Sequence, residues 1–186
     1  MKARSQAVIC GAIAVLVLGH WAYHRVDAWR SGALTQEIRV VVLPILKVPV
    51  ISATMEGGAG YSTATLSGKP YLISFWATWC PPCTEEMPSF LRFAARARVQ
   101  GVEVLAVSAD KSWDDVRRFF SSQKLTTKAV PMVLLMDDAS AAARAFGTDK
   151  LPETYLVDSQ GLIVRKFVGA QNWDSEEALK WLASTR

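Results

Sequence analysis

The chain has 186 residues, room for one ordinary domain and a short appendage. Its 51% hydrophobic and 20% charged residues are those of a folded globule and exclude a disordered chain. A net charge of +4, with basic residues interleaved among acids and no Lys/Arg cluster, argues against nucleic-acid binding.

The first element is apolar. Ala7 to Tyr23 is interrupted only by His20 and is preceded by Lys2 and Arg4. As a helix it would span roughly 25 Å, the short end of a transmembrane segment, with Trp21 and Tyr23 placed for an interfacial aromatic belt. An uncleaved anchor over residues 1–23 is favoured over a signal peptide. His20 would take the −3 position before Ala22, so no small–x–small pair forms. Lys2 and Arg4 are balanced by Arg25 and Arg30, which leaves orientation open on charge alone. Cys10, inside this run, reads as a small packed hydrophobe. Residues 24–48 read as a linker, polar and then apolar, in which Pro44 and Pro49 exclude a long helix.

Residues 49–186 read as a single layered domain. Tyr71–Trp76 is a short apolar run with aromatics, a buried strand. Residues 84–98 carry Met87, Phe90, Leu91 and Ala94 at helical spacing. Val102–Ser108 is the next strand. A helix follows from a Ser112 cap through Lys124, with Asp114 and Asp115 favouring its dipole. Met132–Met136 is a third strand, and Ser140–Phe146 a short helix stopped by Gly147. Thr154–Val157 and Leu162–Phe167 flank a turn at Asp158–Gly161 and read as a hairpin. Ser175–Ser184 closes the chain as a helix capped by Asp174, with Glu177 three residues on. The order β-α-β-α-β-α-β-β-α predicts an α/β domain with early parallel pairing and an antiparallel edge.

The cysteines and histidines narrow the chemistry. Of three cysteines and two histidines, only Cys80 and Cys83 lie beyond His24. A hydrolase using Ser or Cys with His therefore has no imidazole there, and a structural zinc site lacks ligands. Residue 84 is Thr, so c-type haem attachment fails. No metal site and no cofactor are expected.

What remains is redox exchange at Trp79-Cys80-Pro81-Pro82-Cys83, between a buried strand and an amphipathic helix. Cys80 would project from the helix N-terminus, where unpaired N–H groups and the dipole favour a thiolate, and is the expected nucleophile. Cys83, one turn in, would resolve the mixed disulfide. Pro81 and Pro82 complete the motif, and Pro82 suits a first helical turn. Trp79 is expected to shape the docking surface. Trp76, Trp113, Trp173 and Trp181 read as packing residues, and Pro131 as structural.

The stretch Phe75-Trp76-Ala77-Thr78-Trp79-Cys80-Pro81-Pro82-Cys83-Thr84-Glu85-Glu86-Met87-Pro88 resembles the thioredoxin superfamily, and within it the TlpA/ResA/CcmG group. Leu66–Pro70 upstream and Leu151–Asp158 downstream extend the resemblance over roughly residues 60–182. It implies a thioredoxin-like fold, a central mixed sheet flanked by helices, behind an N-terminal membrane anchor. It also implies that Pro152 is a cis-proline facing the disulfide, whose backbone neighbours, Leu151 among them, pair with a bound partner chain. Leu151 is larger than the residue common there. The buried Asp of cytoplasmic thioredoxins is replaced by Ser74. Glu86, where the group carries an acid, is the candidate proton acceptor for Cys83, the competing role being a first-turn acid like Glu85.

The expected function is reduction of client-protein disulfides through Cys80 and Cys83; the resemblance implies that this takes place outside the cytoplasm, with electrons from a membrane dithiol donor. The group's clients include apocytochrome c and oxidase copper-site cysteines. A disulfide-forming oxidase, or a Cu(I)-binding chaperone using Cys80, Cys83 and Met87, are the alternatives.

Overall fold

The computed structural model describes residues 40–41, 47–137 and 139–183. The apolar run 7–23, Cys10, both histidines and most of the linker lie outside them. Among the described residues no helix is long and apolar enough to cross a membrane.

The strands are β1 (Val40–Val41), β2 (Ser52–Thr54), β3 (Gly60–Ser62), β4 (Tyr71–Trp76), β5 (Glu103–Ser108), β6 (Val133–Met136), β7 (Glu153–Val157) and β8 (Ile163–Val168). The helices are α1 (Pro81–Val99), α2 (Trp113–Ser122), α3 (Ala141–Phe146) and α4 (Glu176–Ala183). One sheet runs β1-β8-β7-β4-β5-β6-β2-β3. Every residue of β4 is buried, as a run apolar but for Ser74 requires of a strand covered on both faces. β4, β5 and β6 are parallel, while β7 and β8 are antiparallel to their neighbours.

Alternation along β4 divides the core. Leu72 and Trp76 point to one face with Phe90, Phe93 and Ala97 of α1, Val116 and Phe120 of α2, and Trp181 of α4. Ile73 and Phe75 point to the other, against Ala142 and Phe146 of α3. This is the helix-flanked mixed sheet that the resemblance implies.

Several elements differ from the sequence reading. The stretch read as linker touches the sheet, since Val40 and Val41 pair with Phe167 and Lys166 of β8, and Lys47 bridges to Leu162. A hairpin, β2–β3, turns at Gly57 and Gly58, whose φ of 90° and 86° favour glycine. It joins the sheet at Thr54 opposite Met136. Its turn residue Glu56 accepts from Arg117 of α2 at 2.7 Å and from Thr127 at 2.6 Å. Helix α2 ends at Ser122 rather than Lys124, which sits at φ 58° and turns the chain out of the helix. Helix α3 starts at Ala141 rather than Ser140; Ser140 at the N-cap position makes no side-chain capping bond, and Asp137 accepts from the amides of Ala141 and Ala143 instead. At α4 the cap is Ser175, which accepts from Ala178 N. Asp174, expected in that role, is instead drawn to the guanidinium of Arg92.

Candidate active site

Strand β4 delivers the chain at its carboxyl end to the loop Ala77–Trp79, and α1 begins at once with Pro81. Cys80 is the N-cap residue, in extended backbone, and makes no side-chain capping bond. Its sulfur is joined to Cys83 at 2.06 Å. Cys83 is 0% exposed and Cys80 5%, so even the expected nucleophile is well covered, whereas Trp79 beside it is 65% exposed. Pro81 and Pro82 occupy the first helical positions and bring no N–H. The amide of Thr84 is already spent on the Cys80 carbonyl at 3.1 Å. Of the first-turn amides, that of Cys83 is the one left for a sulfur anion at Cys80.

The loop is held from β5. Asp110, 2% exposed, accepts from Thr78 N at 3.0 Å, Thr78 Oγ1 at 2.7 Å and Ser108 Oγ at 2.6 Å. Register explains the reach: Ser108 lies opposite Trp76, so the residues following each strand meet. The sequence reading passed over Asp110. Its signal was a polar Ser-x-Asp at the carboxyl end of a parallel strand, where α/β sheets place their sites. Asp110→Ala should destabilise the domain by about 2–3 kcal/mol, because it strands buried donors. Chemical denaturation of the oxidised protein measures this, and a loss below about 0.5 kcal/mol would mean that the carboxylate does not hold the loop.

Glu86 is one turn beyond Cys83 and is 6% exposed. Its Oε2 accepts from Gln171 N at 2.8 Å and from Trp173 Nε1 at 3.1 Å. Burial pushes its carboxyl up to about 7, against the pull of these two donors. It is thus an enclosed acid rather than a solvated first-turn residue. Glu85, its neighbour, is exposed. Neither Gln171 nor Trp173 was legible as a partner of Glu86, since each lies more than eighty residues away in the chain.

The Leu151–Pro152 peptide is cis. Glu153 lies opposite Phe75, which sets Pro152 level with Trp76, at the same end of the sheet as the cysteines. Pro152 O accepts from Gly169 N at 2.9 Å, and Leu151 is partly buried against both halves of the core. On the cysteine side of the sheet, Ser74 accepts from Thr154 Oγ1 at 2.9 Å, a neutral hydroxyl pair where cytoplasmic thioredoxins carry a carboxylate. On the other side the buried Glu153 is paired with Lys166 Nζ at 2.9 Å and accepts from Tyr155 Oη at 3.0 Å. Met87 is 2% exposed, and its thioether belongs to the core cluster that includes the cysteines.

Comparison with known proteins agrees with this arrangement. The AhpC/TSA family model matches residues 46–166. The chain belongs to this family. Among its relatives is the thiol-disulfide oxidoreductase ResA of Halalkalibacterium halodurans, 34% identical over 159 residues, which are 85% of this chain and 82% of that protein. ResA of Bacillus thuringiensis (strain Al Hakam) is 30% identical over 112 residues, and the match spans only 62% of its length. Among solved structures, StoA of Bacillus subtilis superposes with a TM-score of 0.58 at 22% identity, covering 77% of this chain and 99% of that one. At that identity the likeness speaks for the thioredoxin-like fold.

Proposed function

We propose that this family member is a thiol:disulfide oxidoreductase that reduces disulfides of client proteins outside the cytoplasm. The observation that carries the reading is the Cys80–Cys83 disulfide at the tip of α1 with an enclosed acid one turn behind it.

In the reduced protein, the Cys80 thiolate attacks one sulfur of a client disulfide. A Cys80–client disulfide forms and the first client thiolate leaves. Cys83 then gives its proton to Glu86 and attacks the Cys80 sulfur. The Cys80–Cys83 disulfide closes, and the second client thiolate departs, so two electrons have passed to the client. A membrane dithiol donor restores the reduced pair. The apolar run 7–23 is the proposed anchor that keeps the domain beside that donor, and apocytochrome c or copper-site cysteines are the proposed clients. Leu151, Pro152 and Trp79 form the proposed docking edge for the client backbone.

The poverty of donors around Cys80 supports this direction. A dithiol becomes a strong oxidant when its thiolate is well stabilised, and two prolines remove amides that would do this. The equilibrium potential against glutathione should accordingly lie below roughly −200 mV. A value near −120 mV would reverse the direction and make the protein an oxidase.

A further inference from the structure

We propose that Trp173 is a positioning residue for the exchange reaction, its indole N–H steering the Glu86 carboxylate that receives the proton of Cys83. The inference rests on the proposed role of Glu86 and adds a residue to it.

Trp173 is 0% exposed, boxed by the rings of Phe90, Phe93, Phe167 and Trp181 with centroids 5.0 to 5.9 Å away. Packing of that kind asks for an aromatic ring, and phenylalanine would provide one. What tryptophan adds is a single N–H, and inside an apolar box that N–H needs an acceptor. It finds one in Glu86 Oε2 at 3.1 Å. By contrast, Trp76, buried on the same side of the sheet, has an indole nitrogen without a hydrogen-bond partner among the described residues. The pairing of Trp173 is therefore not a general consequence of burying indoles here.

The amide of Gln171 takes the same oxygen at 2.8 Å. Both donors converge on Oε2 and leave Oε1 to take the proton. They fix the rotation of the carboxyl group and favour its charged form, the form that must be present when Cys83 gives up its proton. The other charged groups on the surrounding elements are engaged or exposed. Arg92 and Arg96 turn to Asp174, Lys166 to Glu153, and Arg165 lies over the Trp181 ring. Glu85 on α1, and Glu176, Glu177 and Lys180 on α4, face solvent.

The test is Trp173→Phe, which keeps a ring and deletes the donor. In the oxidised protein neither cysteine titrates, so the carboxyl ¹³C resonance of Glu86 reports its ionisation alone. The midpoint should rise from about 7 by about 1, a tenfold gain in proton affinity. The pH profile for resolving a mixed disulfide in a single turnover should move upward with it. An unchanged midpoint overturns the role of Trp173. A midpoint that moves while the profile stays, with Glu86→Gln leaving the profile untouched as well, overturns the reading of Glu86 and this proposal with it. Should Trp173→Phe fail to fold, the indole ¹H–¹⁵N resonance of Trp173 serves instead. It should titrate near 7 in the native protein and lose that step in Glu86→Gln, and a resonance indifferent to pH overturns the proposal.

Discussion

Replacing Cys83 by alanine should turn a turnover catalyst into a covalent trap. The two sulfurs differ in access: Cys80 is at the N-cap and 5% exposed, whereas Cys83 is inside the first turn and 0% exposed. A client sulfur can reach only the first. Without the second, nothing displaces the client once it is bound, and turnover should fall by at least roughly 10³-fold. The adduct should survive non-reducing electrophoresis and be released by an added thiol, and its mass identifies the client. Cys80→Ala should lose turnover to the same extent and trap nothing. Equal trapping by both variants would mean that the sulfurs are interchangeable, and the division of labour derived from α1 would fall.

Glu86→Gln should slow the reaction and stabilise the fold together. The folded carboxyl titrates at about 7 against an ordinary 4.5, because burial penalises its charge. The folded state thus binds this proton more tightly than the unfolded chain. Its contribution to stability is complete below the unfolded value, declines as pH rises between the two, and is lost above the folded one. The amount at stake is about 3 kcal/mol. Glutamine carries no charge, and its carbonyl can still accept from Gln171 and Trp173. The variant should match the native protein near pH 4.5 and exceed it by about 1–3 kcal/mol at pH 8. Denaturant titrations of the oxidised proteins at both pH values measure this difference, and an equal gap at both would show that Glu86 is not an enclosed acid. Resolution of the mixed disulfide should slow by about 10²-fold or more. A residue kept at such a cost to stability points to use rather than packing.

How far the sequence reveals this site depends on how local each signal is. β4 is legible because six consecutive residues are buried on both faces, a run that no surface element shows. The motif is legible because the cysteines, the prolines and the start of α1 are contiguous. The hairpin turn at Asp158 is equally local, since its carboxylate accepts from the amides of Gln160 and Leu162. Gln171 and Trp173 carry no such pattern, and Asp110 only the short Ser-x-Asp at the end of β5. Each acts on a residue brought close only by strand register or by the closing of the β8–α4 loop, and a tryptophan in a sequence gives no sign of whether its N–H or its ring is the part in use. Asp174 shows the converse: its position before a helix suggested a cap, but a guanidinium from α1 was the stronger competitor. The short strand β2, Ser-Ala-Thr, is held by its pairing partners and not by propensity, and was invisible for that reason.

The β2–β3 turn bears on how short a working piece of this protein can be. Glu56 ties α2 to the segment after it, and α2 in turn sets Phe119 and Phe120 against Trp76, the residue from which the loop to Cys80 departs. A piece trimmed to begin at residue 60 would keep both sulfurs and the whole of β4. It would also sever that brace at its far end, leaving the wall behind the loop to hold itself.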